Sequence, residues 1–579
     1  MLKIIRNLRK RDLLYIAFAV GLIVTQVWLD LTMPDYTAKL TTAVSSGSVA
    51  MRDVWVNGGF MLLCAFGSML CSFACGYLTV RVASSFSKTL RNKLFGKISS
   101  FTNVEMKKFS TPSLITRTTN DVTQVQMFIA MGFQMLIKAP VLAIWAICKI
   151  SSSSIEWTLA TIICVVVILV TVGVVVGVCI PKFKKIQKLT DNLNNATRES
   201  VSGVRVVRAF NAENFQEAKF EKANNNLTKN QLFTSKTMGI MMPIVSMCMN
   251  GLSLAIYWIG GYLIDKAPIV ERAILIGDMT AFTQYALQVV MAFMMLVMIF
   301  VFLPRAIISA RRINEVLDTD ICIKSGEYKD QNESKGEIEF KNVSFKYHDG
   351  ASDCLTDISF KVNKGETVAL IGATGSGKTT IIDLIPRYYD VTDGEVLIDG
   401  VNVKDYDKDE LQNKIATVAQ KAVLFKGDIK SNVTYGSSDV DEEKLVESLK
   451  IAKADFVFDL ENGVNSDVAQ GGTNFSGGQK QRLSIARAIY KDAEIIIFDD
   501  SFSALDYKTD MQVRQNIKES MDDKTIIIVA QRIGTIKNAD KILVLEDGKI
   551  VGEGKHEDLL DTCEVYREIA LSQLSKEEL

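Results

Sequence analysis

Residues 366–385 read ETVALIGATGSGKTTIIDLI, and this stretch decides the fold of the second half of the chain. An apolar run is followed by a glycine-rich turn and then by the start of a helix. Gly372, Gly377, Lys378 and Thr379 match the spacing G-x-x-x-x-G-K-[ST]. Glycines in such a turn let backbone N–H groups close around phosphates at the N-terminus of the helix. The stretch therefore predicts a strand, a phosphate-binding loop and a helix, in which Lys378 reaches phosphates and Thr379 holds Mg²⁺.

A second stretch, IIIFDDSFSALD at residues 495–506, ends an apolar run with two carboxylates. The run reads as a buried strand that delivers Asp499 and Asp500 to a site at its C-terminal end. A third stretch, NFSGGQKQRLSIARAIY at residues 474–490, begins a helix at Ser476, a good N-cap residue. The N-terminus of that helix attracts another phosphate, and its glycines leave backbone N–H groups approachable. Two phosphate-binding surfaces on one chain suggest that two such domains enclose ATP between them.

Length and composition indicate a membrane half before this soluble half. The chain has 579 residues, which implies at least two domains, and its formal net charge of zero gives no reason to expect a nucleic-acid partner. Hydrophobic residues make up 48% of the chain and form long blocks before about residue 310. Six of these blocks reach the ~20 residues that cross a bilayer as a helix. They lie near 13–33, 55–80, 128–150, 155–180, 239–265 and 281–303.

The distribution of Lys and Arg predicts the orientation of these spans. The N-terminal MLKIIRNLRKRD is basic and amphipathic, which predicts a helix along the inner membrane surface. The connections 81–127 and 181–238 carry eight and eleven Lys or Arg residues, and these segments face the cytoplasm by the positive-inside rule. We therefore expect a multi-pass protein of the cell membrane, in contact with the lipid bilayer, whose C-terminal half is cytoplasmic.

The two long connections are expected to be helical hairpins rather than disordered loops. If each one goes out and back as helix, it projects roughly 35–45 Å from the membrane. Their tips are expected near residues 109–121 and 208–220, placed to contact the soluble half. The polar, unpatterned residues 319–336 read as a linker.

Two charges inside the spans stand out, because buried charge in a span is costly and often functional. Lys138 lies in the middle of its span, and we expect it to face a cavity. Asp30 lies near the outer end of its span, where contact with water is an equally good explanation. Methionines cluster in the fifth and sixth spans, where they either pack ordinarily or adapt to varied apolar ligands.

These motifs together resemble an ABC transporter half-unit of the exporter type, and the resemblance covers essentially the whole chain. It implies a multidomain fold in which an all-α transmembrane domain of six helices precedes an α/β P-loop ABC nucleotide-binding domain with a helical subdomain. The implied boundaries are 1–310 for the transmembrane domain with its interfacial helix and long cytoplasmic loops, 311–335 for a linker, and 336–579 for the nucleotide-binding domain.

The resemblance also implies ATP and Mg²⁺ as cofactors and assigns residues to them. Tyr347 matches the aromatic residue that stacks on adenine. Gln420 and Asp499 match the glutamine and the carboxylate at the Mg²⁺, together with Thr379. The phosphate loop corresponds to Gly372, Thr374, Gly375, Ser376, Gly377, Lys378, Thr379 and Thr380, and the signature that serves the opposite subunit corresponds to Ser476, Gly477, Gly478 and Gln479.

Two positions depart from the family pattern. Asp500 stands where the family has a catalytic Glu, and Gln531 stands where it has a histidine at the γ-phosphate. Asp sets the charge back by one methylene, and Gln carries no positive charge. With Gln420, these residues form the candidate catalytic set. The chain thus resembles the degenerate-site subunit of heterodimeric bacterial multidrug exporters, which predicts a partner half-transporter with the catalytic Glu and the switch His.

Other interpretations remain open. The chain could form a homodimeric exporter with two slow, equal sites, or an importer that uses the exporter fold. A channel or regulator gated by ATP is a third reading, although the nearly uncharged spans argue against a pore. The apolar spans favour hydrophobic or amphipathic substrates such as drugs, lipids or peptides, and nothing in the sequence identifies the substrate.

Overall fold

The computed structural model describes residues 3, 9–46, 51–151, 154–329, 336–347, 350 and 352–573. These residues form two compact units. Unit 1 comprises Met1–Ser99 and Thr111–Thr319, and unit 2 comprises Ser100–Ser110 and Asp320–Leu579. Most of the expected interfacial helix at the N-terminus and residues 330–335 of the expected linker lie outside the described residues.

Helices account for nearly all of the first half of the chain. Short π-helical turns at Arg117–Asp121 and Phe128–Gly132 interrupt one of them. The helices are α1 (Lys10–Ser45), α2 (Met51–Ser99), α3 (Asn103–Lys108), α4 (Thr111–Thr116), α5 (Val122–Met127), α6 (Phe133–Ser151), α7 (Ile155–Ser202), α8 (Val204–Ala209), α9 (Glu213–Gly239), α10 (Met241–Lys266) and α11 (Ile269–Leu317).

Within the described residues, six helical stretches are long and apolar enough to cross a membrane, which confirms the six predicted spans. They are Lys10–Ser45, Met51–Ser99, Thr111–Ser151, Ile155–Ser202, Glu213–Lys266 and Glu271–Leu317. At 1.5 Å per residue, α2 with its 49 residues is roughly 74 Å long, more than twice the hydrocarbon thickness of a bilayer. The polar part of such a helix must therefore extend beyond the membrane, as expected for the long connections.

The first connection turns about ten residues earlier than the sequence pattern suggested. We expected its tip at 109–121, but α2 ends at Ser99 and a new helical stretch begins at Thr111. The intervening segment contains α3, which starts with a capping box in which the Thr102 backbone N–H donates to the Glu105 carboxylate over 2.7 Å. The pattern Thr-x-x-Glu is a sequence signal for a helix start, and it marks the true turn.

The last helix of unit 1 extends into the region that we assigned to the linker. Helix α11 continues to Leu317, so residues 311–317 are helical. The reason is an apolar face at helical spacing, because Ala306, Ala310, Ile313 and Val316 are all buried. The polar segment that follows contains no helix or extended strand in its described part.

Unit 2 is built on two larger sheets and one small one. With the strands numbered in chain order by the residue ranges given at the end of this paragraph, the six-stranded sheet has the order β12-β11-β3-β10-β9-β6. The four-stranded antiparallel sheet has the order β2-β1-β4-β5, and β7 pairs with β8. The strands are β1 (Ile338–Phe345), β2 (Leu355–Val362), β3 (Thr367–Gly372), β4 (Asp393–Ile398), β5 (Val401–Asn402), β6 (Ile415–Val418), β7 (Gly427–Asp428), β8 (Asp467–Val468), β9 (Ile495–Asp499), β10 (Thr525–Val529), β11 (Lys541–Glu546) and β12 (Lys549–Gly554).

Helices pack on these sheets and form a subdomain between β6 and β9. The subdomain is the helical insertion expected from the family resemblance. The helices of unit 2 after α3 are α12 (Lys378–Leu384), α13 (Lys408–Lys414), α14 (Ile429–Val433), α15 (Glu442–Ile451), α16 (Gly477–Lys491), α17 (Tyr507–Ser520), α18 (Ile533–Ile536), α19 (His556–Thr562) and α20 (Glu564–Gln573), with 3₁₀ turns at Asp455–Val457, Gly463–Asn465 and Gln470–Gly472.

The register of the parallel strands gathers several loops at one edge of the large sheet. Strands β3, β6, β9 and β10 are mutually parallel, and their central residues are buried apolar side chains except for the exposed Thr417 of β6. The register pairs Val529 with both Leu370 and Asp499, so these strands end close together. Since ligands of open parallel sheets bind beyond the carboxyl ends of the strands, this edge is where a site is expected.

Candidate functional site

The loop after β3 has the shape of a cradle that only glycine can form. Gly375 and Gly377 have φ angles of +90° and +99°, which side chains rarely tolerate. A Cβ atom on Gly377 would lie 2.6 Å from a Leu355 methyl carbon, whereas a Cβ atom on Gly375 would meet nothing within 4 Å. The loop therefore packs closely against β2 on one side and is open on the other, where an anion can reach its backbone.

Lys378, the first residue of α12, lies across this loop. Its ammonium group donates to the carbonyl oxygens of Gly372 and Ala373 over 2.8 and 2.7 Å, and to the Ser376 hydroxyl over 3.3 Å. Burial lowers the pKa of Lys378, and the nearby carboxylates of Asp500 and Asp499 oppose that shift. Phosphate oxygens would serve these donors better than neutral carbonyls, since hydrogen bonds between charged groups are the stronger ones.

Two carboxylates face the lysine from the end of β9. Burial, with the charge of Asp500 as a further cause, raises the pKa of Asp499 above its usual range. Asp500 has a φ of +46°, and one of its carboxylate oxygens accepts from the side-chain amides of Gln420 and Gln531 over 3.1 and 3.0 Å. Gln420 follows β6, Gln531 follows β10 and Asp500 follows β9. Residues from the ends of three strands are therefore joined by hydrogen bonds to one carboxylate oxygen.

These elements enclose a cavity of about 270 Å³. Its lining contains two carboxylates and one lysine, so a bound cation relieves the repulsion between Asp499 and Asp500. The Thr379 hydroxyl, the Asp499 carboxylate and the Gln420 amide oxygen are hard oxygen ligands of the kind that Mg²⁺ prefers. The lining residues are Cys354, Thr374, Gly375, Gly377, Lys378, Thr379, Thr380, Gln420, Asp499, Asp500, Val529 and Gln531.

Tyr347 does not line this cavity, but it contacts Thr380, which does. Its hydroxyl lies 3.1 Å from the Thr380 hydroxyl, and its ring packs edge-to-face against Phe345 and Tyr389. The ammonium group of Lys107, on α3, lies 4.6 Å from the centroid of the Tyr347 ring. The aromatic residue that we expected at adenine is therefore held by its neighbours, with a cation over its ring.

The signature residues Ser476, Gly477, Gly478 and Gln479 lie outside the cavity and begin α16. The Ser476 hydroxyl accepts from the Gln479 backbone N–H over 3.3 Å, and the Gln479 side chain accepts from the Ser476 backbone N–H over 2.9 Å. This capping box fixes the helix N-terminus as the sequence predicted. The structure does not bring these residues to the chain's own phosphate loop.

Sequence reasoning missed three residues around the cavity. The Cys354 thiol lies 3.3 Å from the Thr380 hydroxyl, and Lys107 lies over Tyr347. Asp383 on α12 is half-buried, and burial, together with the charge of Asp499, raises its pKa to about 6 against the opposing charge of Lys107. No local motif marks any of the three, because their partners lie at least two dozen residues away along the chain.

Comparisons with known proteins agree with the architecture. A family model described as the ABC transporter transmembrane region matches residues 13–293, and a second model described as ABC transporter matches residues 355–503. A solved structure described as a bacterial Atm1-family ABC exporter with ATP bound superposes with a TM-score of 0.80 over 97% of this chain and 98% of the other. At 23% sequence identity, this likeness concerns the fold.

Curated relatives are similar over almost the whole chain. An uncharacterised ABC transporter ATP-binding protein of Mycobacterium tuberculosis is 36% identical over 546 residues, covering 93% of each chain. An ATP-dependent lipid A-core flippase of Pseudoalteromonas translucida is 30% identical and covers 91% of this chain and 90% of its own.

Proposed function

The chain belongs to the ABC transporter family, and from that premise we propose that it is one half of a heterodimeric exporter that carries a degenerate ATP site. Like other multi-pass members, it has its ATP-binding domain in the cytoplasm. In the proposed function, ATP and Mg²⁺ bind at the cavity of unit 2, and ATP drives hydrophobic or amphipathic molecules across the cell membrane. The partner is a second half-transporter that has the catalytic Glu and the switch His.

The environment of Asp500 is the observation that carries this proposal. A general base must be aimed at the attacking water and must have an oxygen available to accept its proton. Here the side-chain amides of Gln420 and Gln531 both donate to the same Asp500 oxygen, so two hydrogen bonds already occupy the oxygen that would otherwise accept a proton from water. The side chain is also one methylene shorter than Glu, and small displacements of a base can cost about a hundredfold in rate.

The remaining parts of the cavity support binding without efficient turnover. Lys378 can pair with phosphates, and Thr379 and Asp499 offer oxygen ligands for Mg²⁺. Gln531 can donate a hydrogen bond to a phosphate but cannot relay a proton. We therefore expect ATP to reside in this site for a long time while another site turns over.

The signature is proposed to complete the active site of the partner. Ser476 and the backbone N–H groups of Gly477 and Gly478 begin a 15-residue helix, whose N-terminus favours an anion. In this proposal the partner's ATP lies between that helix end and the partner's own phosphate loop. The substrate class follows from the apolar spans, and the relative that is described as a lipid A-core flippase is an instance of an amphipathic substrate in this family.

Three substitutions in the assembled transporter test the proposal. Changing the partner's catalytic Glu to Gln should nearly abolish ATP hydrolysis. Asp500→Asn in this chain should lower the rate by no more than a few-fold, since its carboxylate is one methylene shorter than Glu and is held by Gln420 and Gln531. Ser476→Ala should again be severe, because its hydroxyl would serve the partner's site. The measurement is steady-state ATPase activity of the purified pair, with nucleotide binding measured separately.

The decisive comparison is between the two acidic positions. If Asp500→Asn stops turnover as completely as the partner substitution, the site on this chain is catalytic and the degenerate-site proposal fails. The double change Asp500→Glu with Gln531→His is the matched gain-of-function variant, and it should raise hydrolysis at this site. A fully active transporter assembled from this chain alone would favour the homodimeric alternative.

A further inference from the structure

Unit 1 contains a polar cavity between its apolar helices. The cavity has a volume of about 300 Å³ and is lined by side chains from α1, α6 and α11. Its size suits the polar end of a ligand better than a whole drug-sized molecule. The lining residues are Asp30, Met33, Lys138, Leu142, Gln284, Gln288 and Met295.

A loose ion pair forms the polar side of this cavity. The Lys138 ammonium lies 3.6 Å from one carboxylate oxygen of Asp30, which is beyond normal hydrogen-bond length. The orientation of the Asp30 side chain is fixed by a second contact, in which its other carboxylate oxygen accepts from the Ser68 hydroxyl over 2.5 Å. Within the described part of the chain, Lys138 has this ion pair and no hydrogen bond. Both side chains keep about a quarter of their surface exposed, 23% for Lys138 and 30% for Asp30.

Gln288 adds an acceptor that has no partner. Its amide nitrogen donates to the Asp30 carbonyl over 3.2 Å, which orients the side chain. Its amide oxygen is buried and, among the described residues, has no hydrogen-bond partner. A buried acceptor without a donor costs free energy, and a ligand that brings a donor recovers it. Met33, Leu142 and Met295 provide an apolar wall beside these groups.

A second ion pair joins the same two helices, and its charged atoms are closer together than those of Asp30 and Lys138. The Lys149 ammonium of α6 lies 2.7 Å from a carboxylate oxygen of Asp35 on α1, and the Tyr285 hydroxyl donates to the other oxygen of Asp35. Neither charged residue of this tight pair lines the cavity. The contrast indicates that the tight pair holds the helices together, whereas the loose pair is available to a ligand.

We infer that the cavity of Asp30, Lys138 and Gln288 binds the zwitterionic head of an amphipathic molecule. The anionic group of the ligand takes the place of Asp30 beside Lys138, and its cationic N–H group donates to Asp30 and to the Gln288 oxygen. A zwitterion leaves both protein charges compensated. An anion or a cation would compensate only one of them, and an uncompensated charge in a span is costly. The apolar chain of the ligand then lies along the methionine and leucine side chains.

The inference rests on the proposed function, in that it identifies the substrate class of the proposed exporter. Its test is nevertheless equilibrium binding without nucleotide, so that failure of ATP-driven transport and failure of this site remain distinguishable. The full chain is reconstituted in lipid nanodiscs with tritiated palmitoyl-lysophosphatidylethanolamine as the probe. Unlabelled lysophosphatidylethanolamine, lysophosphatidylglycerol and hexadecylammonium compete as zwitterionic, anionic and cationic amphiphiles of similar chain length, and the ammonium group of the cation keeps its N–H donors.

The wild-type chain should prefer the zwitterion by about tenfold over either singly charged amphiphile. Lys138→Met should shift the preference to the cationic amphiphile, and Asp30→Asn should shift it to the anionic one. Lys149→Met is the matched control on the same helix and should leave the preference unchanged. Equal competition by all three amphiphiles in the wild type, or an equal shift with Lys149→Met, overturns the inference.

Two further arms complete the experiment. The exchanged pair Asp30→Lys with Lys138→Asp keeps both charges, so it should keep the zwitterion preference even if a single change prevents folding. Loss of the preference in a folded exchanged pair would also overturn the inference. Glycerophosphoethanolamine tests the headgroup alone. If it competes as well as the lysolipid, the zwitterion site stands and its ligand is a water-soluble zwitterion rather than a lipid.

Discussion

At the scale of single residues, Asp383 makes the stability of unit 2 depend on pH. Burial raises the folded pKa of this carboxyl from 3.8 to about 6. A raised folded pKa means that the folded state binds the proton more tightly, so the stabilisation is complete below about pH 4 and is lost as the pH rises through about 6. Allowing for partial screening by solvent, we expect a loss of about 1–2 kcal/mol, and Asp383→Asn should remove it.

Thermal unfolding of the purified protein between pH 4.5 and 7.5 measures this effect. The difference between the wild type and Asp383→Asn should grow with pH up to about 6.5 and then level off. Asp439→Asn, at an exposed position of the same unit, is the control and should track the wild type at every pH. A constant difference across the pH range would show that Asp383 contributes by packing and not by ionisation.

The same scale shows which site residues a sequence can predict. Lys378, Thr379 and Asp499 were predicted because the spacing within each motif follows from a strand, a turn and a helix. Asp383 and Cys354 were not, because their environment is set by residues from other strands and loops. The hydrogen bonds that hold Asp500 belong to this second kind, since Gln420 lies 80 positions away along the chain.

At the scale of elements, the short helix α3 links a connection between two spans to the nucleotide-binding unit. The Cys322 backbone N–H donates to the Glu105 carboxylate over 2.8 Å, and Val104 packs against the apolar core of unit 2. The Lys107 ammonium lies 4.6 Å from the ring centroid of Tyr347 and 5.1 Å from that of Tyr389. These contacts fix α3 next to the residue expected at adenine.

We predict that Lys107→Met weakens the coupling of nucleotide binding to transport. A cation over an aromatic ring contributes about 1 kcal/mol at a partly buried position, which corresponds to roughly a fivefold effect. Substrate-stimulated ATPase activity and transport should fall by about that factor, with a smaller change in basal activity. Lys108→Met is the control, because the Lys108 ammonium lies 5.9 Å from the Phe109 ring and contacts neither tyrosine. Equal losses in both variants would point to general destabilisation.

The helices and strands also show which elements hydrophobic periodicity predicts correctly and which it does not. The six spans and the buried strands are long enough for their patterns to be unambiguous. The predicted tip of the first connection, 109–121, is misplaced because residues 111–121 are helical. Pro112 lies in the first turn of α4, where proline is well tolerated. The second tip falls between Ser202 and Glu213. Phe210 in this turn and Phe215 in the first turn of α9 both have largely exposed side chains.

At the scale of the whole molecule, one chain supplies half of what a transporter needs. The residues that the structure describes include six helical stretches able to cross a membrane, one phosphate loop and one signature, and the signature lies outside the cavity of that phosphate loop. We predict that a tagged chain purified from native membranes brings a distinct half-transporter with it. The measurement is mass spectrometry of the purified complex. Recovery of a homodimer with full transport activity would contradict this prediction.

The membership of α3 in unit 2 has a consequence for biosynthesis. More than two hundred residues separate α3 from β1, so at 5–20 residues per second the ribosome finishes the helix roughly 10–45 seconds before it begins the core on which α3 docks. During that interval Val104 and its neighbours have no core to pack against. A chain that stops early, or whose second half fails to fold, keeps this segment exposed in the cytoplasm. The docking of α3 thus distinguishes finished chains from unfinished ones, and an undocked α3 is a feature that chaperones and proteases can recognise.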